Sequence, residues 1–138
     1  MIHNEIVIYI RFAEKQELRD YKFFCFDGKM EFFKVDFGRF VEHHANYYNR
    51  DKVLQDYGEC RFPPMAEADI KLPSEIDNMI DLAEKLSSDM PFVRIDLYDC
   101  NNHPYFGEMT FYPAGGVGPL TPEGTDAKWG KLINIKIK

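Results

Sequence analysis

The sequence predicts an α+β fold in which an antiparallel sheet is covered by packed helices. Three observations predict it. Aromatic and β-branched runs crowd the first half, where nine of the 12 Phe lie between Phe12 and Phe62. Two pairs of such runs are joined by turn-rich links, one at Asp27-Gly28 and one from Asp99 to Pro104. Between these pairs a single stretch, Ile76 to Leu86, repeats its apolar residues at helical spacing.

Ile6 to Ile10 is β-branched and aromatic and reads as a first strand. The polar run from Glu14 to Asp20 follows as a loop or one helical turn. Tyr21–Phe26 and Met30–Val35 then flank Asp27-Gly28, a dipeptide that takes the positive φ values of a two-residue hairpin turn. Both faces of this hairpin are apolar, so alternation does not fix its register. Gly38 to Leu72 mixes His43-His44, Tyr47-Tyr48 and Pro63-Pro64 without a sustained period, and is expected to be a long irregular loop. Ser74 with Asp77 three residues on resembles a capping box. Ile76, Met79, Ile80, Ala83 and Leu86 form one helical stripe of the kind that packs on a core, ended by Ser87-Ser88-Asp89 and Pro91. A short C-terminal helix is expected around Lys128 to Ile133.

The second hairpin, Phe92–Tyr98 with Tyr105–Tyr112, has a register that can be worked out. With its link centred on Asn102, one face carries Val93–Phe111, Ile95–Met109 and Leu97–Gly107. The other carries Phe92–Tyr112, Arg94–Thr110, Asp96–Glu108 and Tyr98–Phe106. Aliphatic residues then share one face and charges the other, whereas a one-residue slip scrambles both. Asp96 and Glu108 become direct cross-strand neighbours, with Cβ atoms about 4.5–5.5 Å apart. Two carboxylates so placed need a positive partner, a shared proton or a divalent cation. Arg94 on the same face supplies the first, in a solvated surface cluster; Mg²⁺ beside a substrate phosphate supplies the last.

The 138 residues, 16.2 kDa in mass, suit a single domain with its own core. Net charge is −6, spread evenly along the chain and without a Lys/Arg-rich run, which argues against nucleic acid or anionic lipid as a partner. Cys25, Cys60 and Cys100 are odd in number and lack CxxC spacing, so a disulfide framework and a structural zinc site are disfavoured and a reducing cytoplasm is expected. Met1 to Ile10 lacks the basic start and the length of a signal peptide or membrane span. His43-His44 and His103 read as polar loop residues and Cys25 as a buried packing residue. No GxSxG, HExxH or P-loop pattern occurs.

Arg94-Ile95-Asp96-Leu97-Tyr98 with Phe106-Gly107-Glu108-Met109-Thr110-Phe111-Tyr112-Pro113, and Asp20-Tyr21-Lys22-Phe23-Phe24-Cys25-Phe26-Asp27-Gly28-Lys29, resemble the TupA-like ATP-grasp family. The resemblance runs from about Asp20 to Ile135 and includes Asp126 to Leu132. It implies ATP and Mg²⁺ as cofactors and a ligase that joins a carboxylate to an amine through an acyl phosphate, in bacterial cell-surface polysaccharide synthesis. Members of the family are often labelled glycosyltransferases. Residue by residue, it implies Asp96 and Glu108 as the Mg²⁺ ligands, with Thr110 standing where an Asn usually completes the shell. It implies Arg94 as the catalytic cation for the phosphorylated intermediate. Lys22 falls at a basic position facing the triphosphate, and Arg39 at one near the γ-phosphate. Ala114 replaces the usual Gly after Pro113.

The same resemblance implies that residues 1–138 form one domain equivalent to the C-terminal portion of an ATP-grasp enzyme. The lobe bearing the other phosphate-binding lysine is then expected elsewhere, the chain being a truncated gene product, an excised domain or one half of a two-chain enzyme whose second chain supplies that lobe. The expected ligands are a nucleotide and a carboxylate-bearing substrate, with no nucleic acid and no integral membrane segment. The alternative is a non-catalytic remnant that serves as a nucleotide-binding or protein-interaction module.

Overall fold

The computed structural model describes residues 19–135; the strand expected at Ile6–Ile10 lies outside them. In chain order the elements are β1 (Asp20–Phe26), β2 (Lys29–Phe37), β3 (His44–Asn49), β4 (Gly58–Glu59), α1 (Ile76–Leu86), β5 (Phe92–Cys100), β6 (His103–Thr110), β7 (Leu120–Thr121) and α2 (Thr125–Gly130). Five strands form one antiparallel sheet in the order β3-β2-β1-β5-β6, and β4 pairs with β7 beside it. The fold is α+β, as the sequence predicts.

The Asp27-Gly28 turn forms, with φ of 51° and 77°, and joins Phe26 to its partner Lys29. Phe24 pairs with Phe32 but Cys25 with Met30, so Glu31 is an extra residue that bulges β2. Tyr21, Phe23 and Cys25 of β1 face α1 together with Val93, Ile95 and Leu97 of β5, and the α1 stripe of Ile76, Met79, Ile80 and Ala83 seals that core. Phe24 and Phe26 face the other way, into a second cluster with Phe32, Ala45 and Tyr47. Both faces of the first hairpin are therefore covered, which is why its sequence shows no alternation.

Several expectations are corrected. The stretch from Gly38 to Leu72 is not all irregular, because it supplies β3, an edge of the main sheet, and β4. The capping box does not form. Glu75 occupies the cap position without a side-chain bond, and Ser74 Oγ instead bonds Asn102 Oδ1 at 3.1 Å. The second hairpin turns tightly at Asn101-Asn102, both at positive φ, and its strands extend into what the sequence presents as a longer link. Its register is as expected from Arg94–Thr110 to Asp96–Glu108, then shifts: Leu97 pairs with Phe106 and Tyr98 with Tyr105, leaving Gly107 as a bulge. The C-terminal helix starts three residues earlier than expected, at Thr125.

Candidate active site

Antiparallel register alone assembles the charged end of the sheet. Lys22 on β1 pairs with Asp96 on β5, Asp96 with Glu108 on β6, and Arg94, one same-face step along, with Thr110. These side chains share the face away from α1. Lys22 Nζ bridges Asp20 Oδ2 at 2.5 Å and Asp96 Oδ2 at 2.7 Å. Arg94 forks onto Asp96, Nε to Oδ1 at 2.7 Å and Nη2 to Oδ2 at 2.8 Å, and Nη2 also reaches Glu108 Oε1 at 2.9 Å and Thr110 Oγ1 at 3.0 Å. Thr110 Oγ1 donates in turn to Glu108 Oε1 at 3.1 Å. Arg39, in the β2–β3 turn, places Nη2 2.7 Å from Asp20 Oδ2, the oxygen that Lys22 also holds. All six residues singled out from the sequence thus fall in one connected network.

Burial sets its electrostatics. Asp96 is 1% exposed, and desolvation pushes its carboxyl above the usual aspartate range against the pull of Arg94 and Lys22. Desolvation alone would lower Lys22 and Arg94. Asp20 and Asp96 override it at Lys22, as Asp96 and Glu108 do at Arg94, and both cations are held above their ordinary values. Arg94 is the positive partner that the facing carboxylates require.

A second charged group, which the sequence reading does not pick out, adjoins the first. Asp36 on β2 pairs with Asp20 on β1. Its Oδ1 lies 2.9 Å from His43 Nε2 and 3.7 Å from Lys34 Nζ. Lys34 Nζ also meets Glu59 Oε1 at 2.5 Å, and Tyr47 Oη donates to the same oxygen at 3.0 Å. The His43 ring stacks on Phe62 with centroids 3.8 Å apart. Lys34 and Asp36 stand two apart in an otherwise aromatic strand, a same-face signal that the sequence carries.

Lys22, Arg39 and Arg94 of the first group and Lys34, Asp36, His43 and Glu59 of the second line one cavity of about 1020 Å³. A sequence model described as TupA-like ATPgrasp matches residues 1–134. The chain belongs to the TupA-like ATP-grasp family. No curated protein and no solved structure matches it. Membership gives the chain a general ATP-grasp ligase-type role.

In this ATP-grasp chain the far end of the cavity is aromatic. Phe24, Phe92 and Trp129 line it, and Trp129 of α2 stacks on Phe32 at 4.3 Å and lies 5.9 Å from Phe24. The rim after Pro113 runs through Ala114, Gly115 and Gly116 at φ of 52°, 65° and 77°. A glycine takes such a backbone freely, whereas the Cβ of Ala114 makes it costly. Among the described residues no cluster of three His, Cys, Asp or Glu side chains forms a metal site, and no helix is long and apolar enough to cross a membrane.

Proposed function

We propose that this chain carries the phosphate-facing part of a Mg²⁺- and ATP-dependent carboxylate–amine ligase that makes amides for a bacterial cell-surface polysaccharide. One observation carries the proposal: Lys22 and Arg94, which hold Asp96, Glu108 and Thr110 across three adjacent strands, line the charged end of a cavity whose other end is aromatic. Such a cavity suits a ligand with a polyanionic end and a flat apolar end, as a nucleoside triphosphate has.

The donors fit Mg²⁺. Two carboxylates paired across strands, with a hydroxyl beside them, are hard oxygen ligands, the kind that holds this ion together with phosphates. Asp96 and Glu108 would hold it with Thr110 as the third oxygen, and once bound it neutralises triphosphate charge. Lys22 donates to phosphate oxygens. Arg39 adds positive charge near the γ-phosphate. Arg94 stabilises the phosphorylated carboxylate. The γ-phosphoryl group passes to a carboxylate oxygen, giving ADP and an acyl phosphate, and an amine then displaces phosphate to leave an amide. The residues contribute positioning and charge compensation, the main needs of phosphoryl transfer.

Calorimetric titration with Mg·ATP tests the assignment. Saturable binding is expected, weakened at least tenfold by Asp96→Asn and by Glu108→Gln, a loss of about 1.4 kcal/mol or more each. Binding that survives both substitutions overturns the metal assignment. No heat at millimolar nucleotide leaves this chain without a nucleotide site of its own.

A further inference from the structure

The pair formed by His43 and Asp36 lines the cavity but has no task in phosphoryl transfer. We propose that His43 is the general base that takes the proton from the incoming amine, with Asp36 as its positioning residue. This inference rests on the ligase function proposed above. An amine arrives at neutral pH as an ammonium group, which has no lone pair for attack. A ligase of this class therefore needs a proton acceptor in the acceptor pocket, separate from the phosphate-binding cations.

His43 is built for that task. Asp36, with a side chain only 2% exposed, receives the hydrogen bond from His43 Nε2 at 2.9 Å. This bond fixes the tautomer that carries its proton on Nε2 and leaves a lone pair on Nδ1. Nδ1 has no hydrogen-bond partner among the described residues, and the imidazole keeps a quarter of its surface open. Phe62 stacks on the ring and holds its plane, with Arg61 on that phenyl ring at 5.2 Å. Asp36 also has a buried oxygen, Oδ2, without a partner among the described residues.

The position suits the reaction. Asp36 is two strands across and one same-face step along from Asp96. At sheet spacings of about 4.8 Å between strands and about 3.4 Å per residue, their backbones lie about 12 Å apart. His43, Lys22 and Arg94 line the same cavity, so the base and the phosphate-facing cations share one space.

In the proposed step the ammonium gives one proton to His43 Nδ1, and the imidazolium so formed is held by Asp36. The freed lone pair attacks the carbonyl carbon of the acyl phosphate. A C–N bond forms and the C–O bond to phosphate breaks. The second nitrogen proton leaves with the phosphate as hydrogen phosphate, and the imidazolium returns its proton to solvent.

Hydroxylamine separates this step from carboxylate activation, because it is already neutral near pH 7 and needs no base. The full chain is given Mg·ATP and D-glucuronate, then either hydroxylamine or glycinamide. His43→Gln should keep hydroxamate formation within about threefold and lose amide formation by about 100-fold or more. The retained hydroxamate reaction also shows that the variant folds. Equal losses with both nucleophiles, or no loss with glycinamide, overturn the assignment. If the unmodified protein uses neither nucleophile, the ligase function itself fails with these probes. The His43 site is then decided by ¹⁵N-resolved NMR of the resting protein. The Nε2-protonated tautomer, redistributed by Asp36→Asn, upholds the positioning; an Nδ1-protonated ring overturns it.

Discussion

Asp96 sits among two cations and is almost sealed from water, yet burial still raises its carboxyl above the ordinary range. The consequence for stability has a definite sign. Above the unfolded value of 3.8 the unfolded chain releases this proton while the folded chain retains it. The folded state therefore binds more protons, and this group's contribution falls as pH rises toward its higher folded value. Urea titrations of the wild-type protein and Asp96→Asn from about pH 4 to about pH 8 isolate the effect, because other carboxylates cancel in the difference. The stability of the wild type relative to the variant should decline across that range. A rising difference would mean that Arg94 and Lys22 outweigh burial. Asp96 was legible in the sequence because the charges of one hairpin fall together in a single register. His43 was not, because it stands in the β2–β3 turn, seven residues after its partner Asp36, and no local period joins the two.

The β5–β6 hairpin shows where sequence reading works and where it stops. Alternation fixes the pairing through Asp96–Glu108, since one face is aliphatic and a slip would bury charge. The bulge at Gly107 answers to a contact between strands that alternation does not encode. A Cβ at this position would lie 2.8 Å from Tyr98 Cε2 and 3.0 Å from the Asp96 carbonyl oxygen. The oxygen belongs to the backbone that carries Asp96, so relief must come from the Tyr98 ring or from the register itself. Gly107→Ala should lower unfolding stability by about 1–3 kcal/mol and also weaken Mg·ATP binding, read by urea titration and calorimetry. A variant with both values intact would remove the bulge from the site's construction. The same limit applies to β3: both of its faces are buried, so His44–Asn49 shows no alternation and passes for a loop. In α1 the stripe is legible, but the apparent Ser74 cap fails because Ser74 finds Asn102 instead.

Across the whole molecule the sheet divides labour between its faces. Toward α1 it is a closed apolar core containing Phe23, Met79, Ile95 and Val93. Away from α1 it is an aromatic patch that grades into buried charge and opens on the cavity. The buried charges demand desolvation and so add little to stability on their own, while apolar burial on the α1 face supplies it. Stability and ligand binding should therefore separate by face. Met79 is wholly buried on the α1 side and absent from the cavity wall. Truncating it leaves a void in the core without touching a charged residue. Met79→Ala should lower unfolding stability by about 2–5 kcal/mol, while its folded fraction binds Mg·ATP within about threefold of the wild type, a difference under about 0.7 kcal/mol. Thermal unfolding with and without Mg·ATP checks both at once, because a ligand that binds only the folded state stabilises each protein by an amount set by its own dissociation constant. Equal ligand-induced stabilisation from different starting stabilities is the expected result. A Met79 variant that lost the ligand response would show that α1 positions the cavity floor as well as covering the core, and would refute the separation.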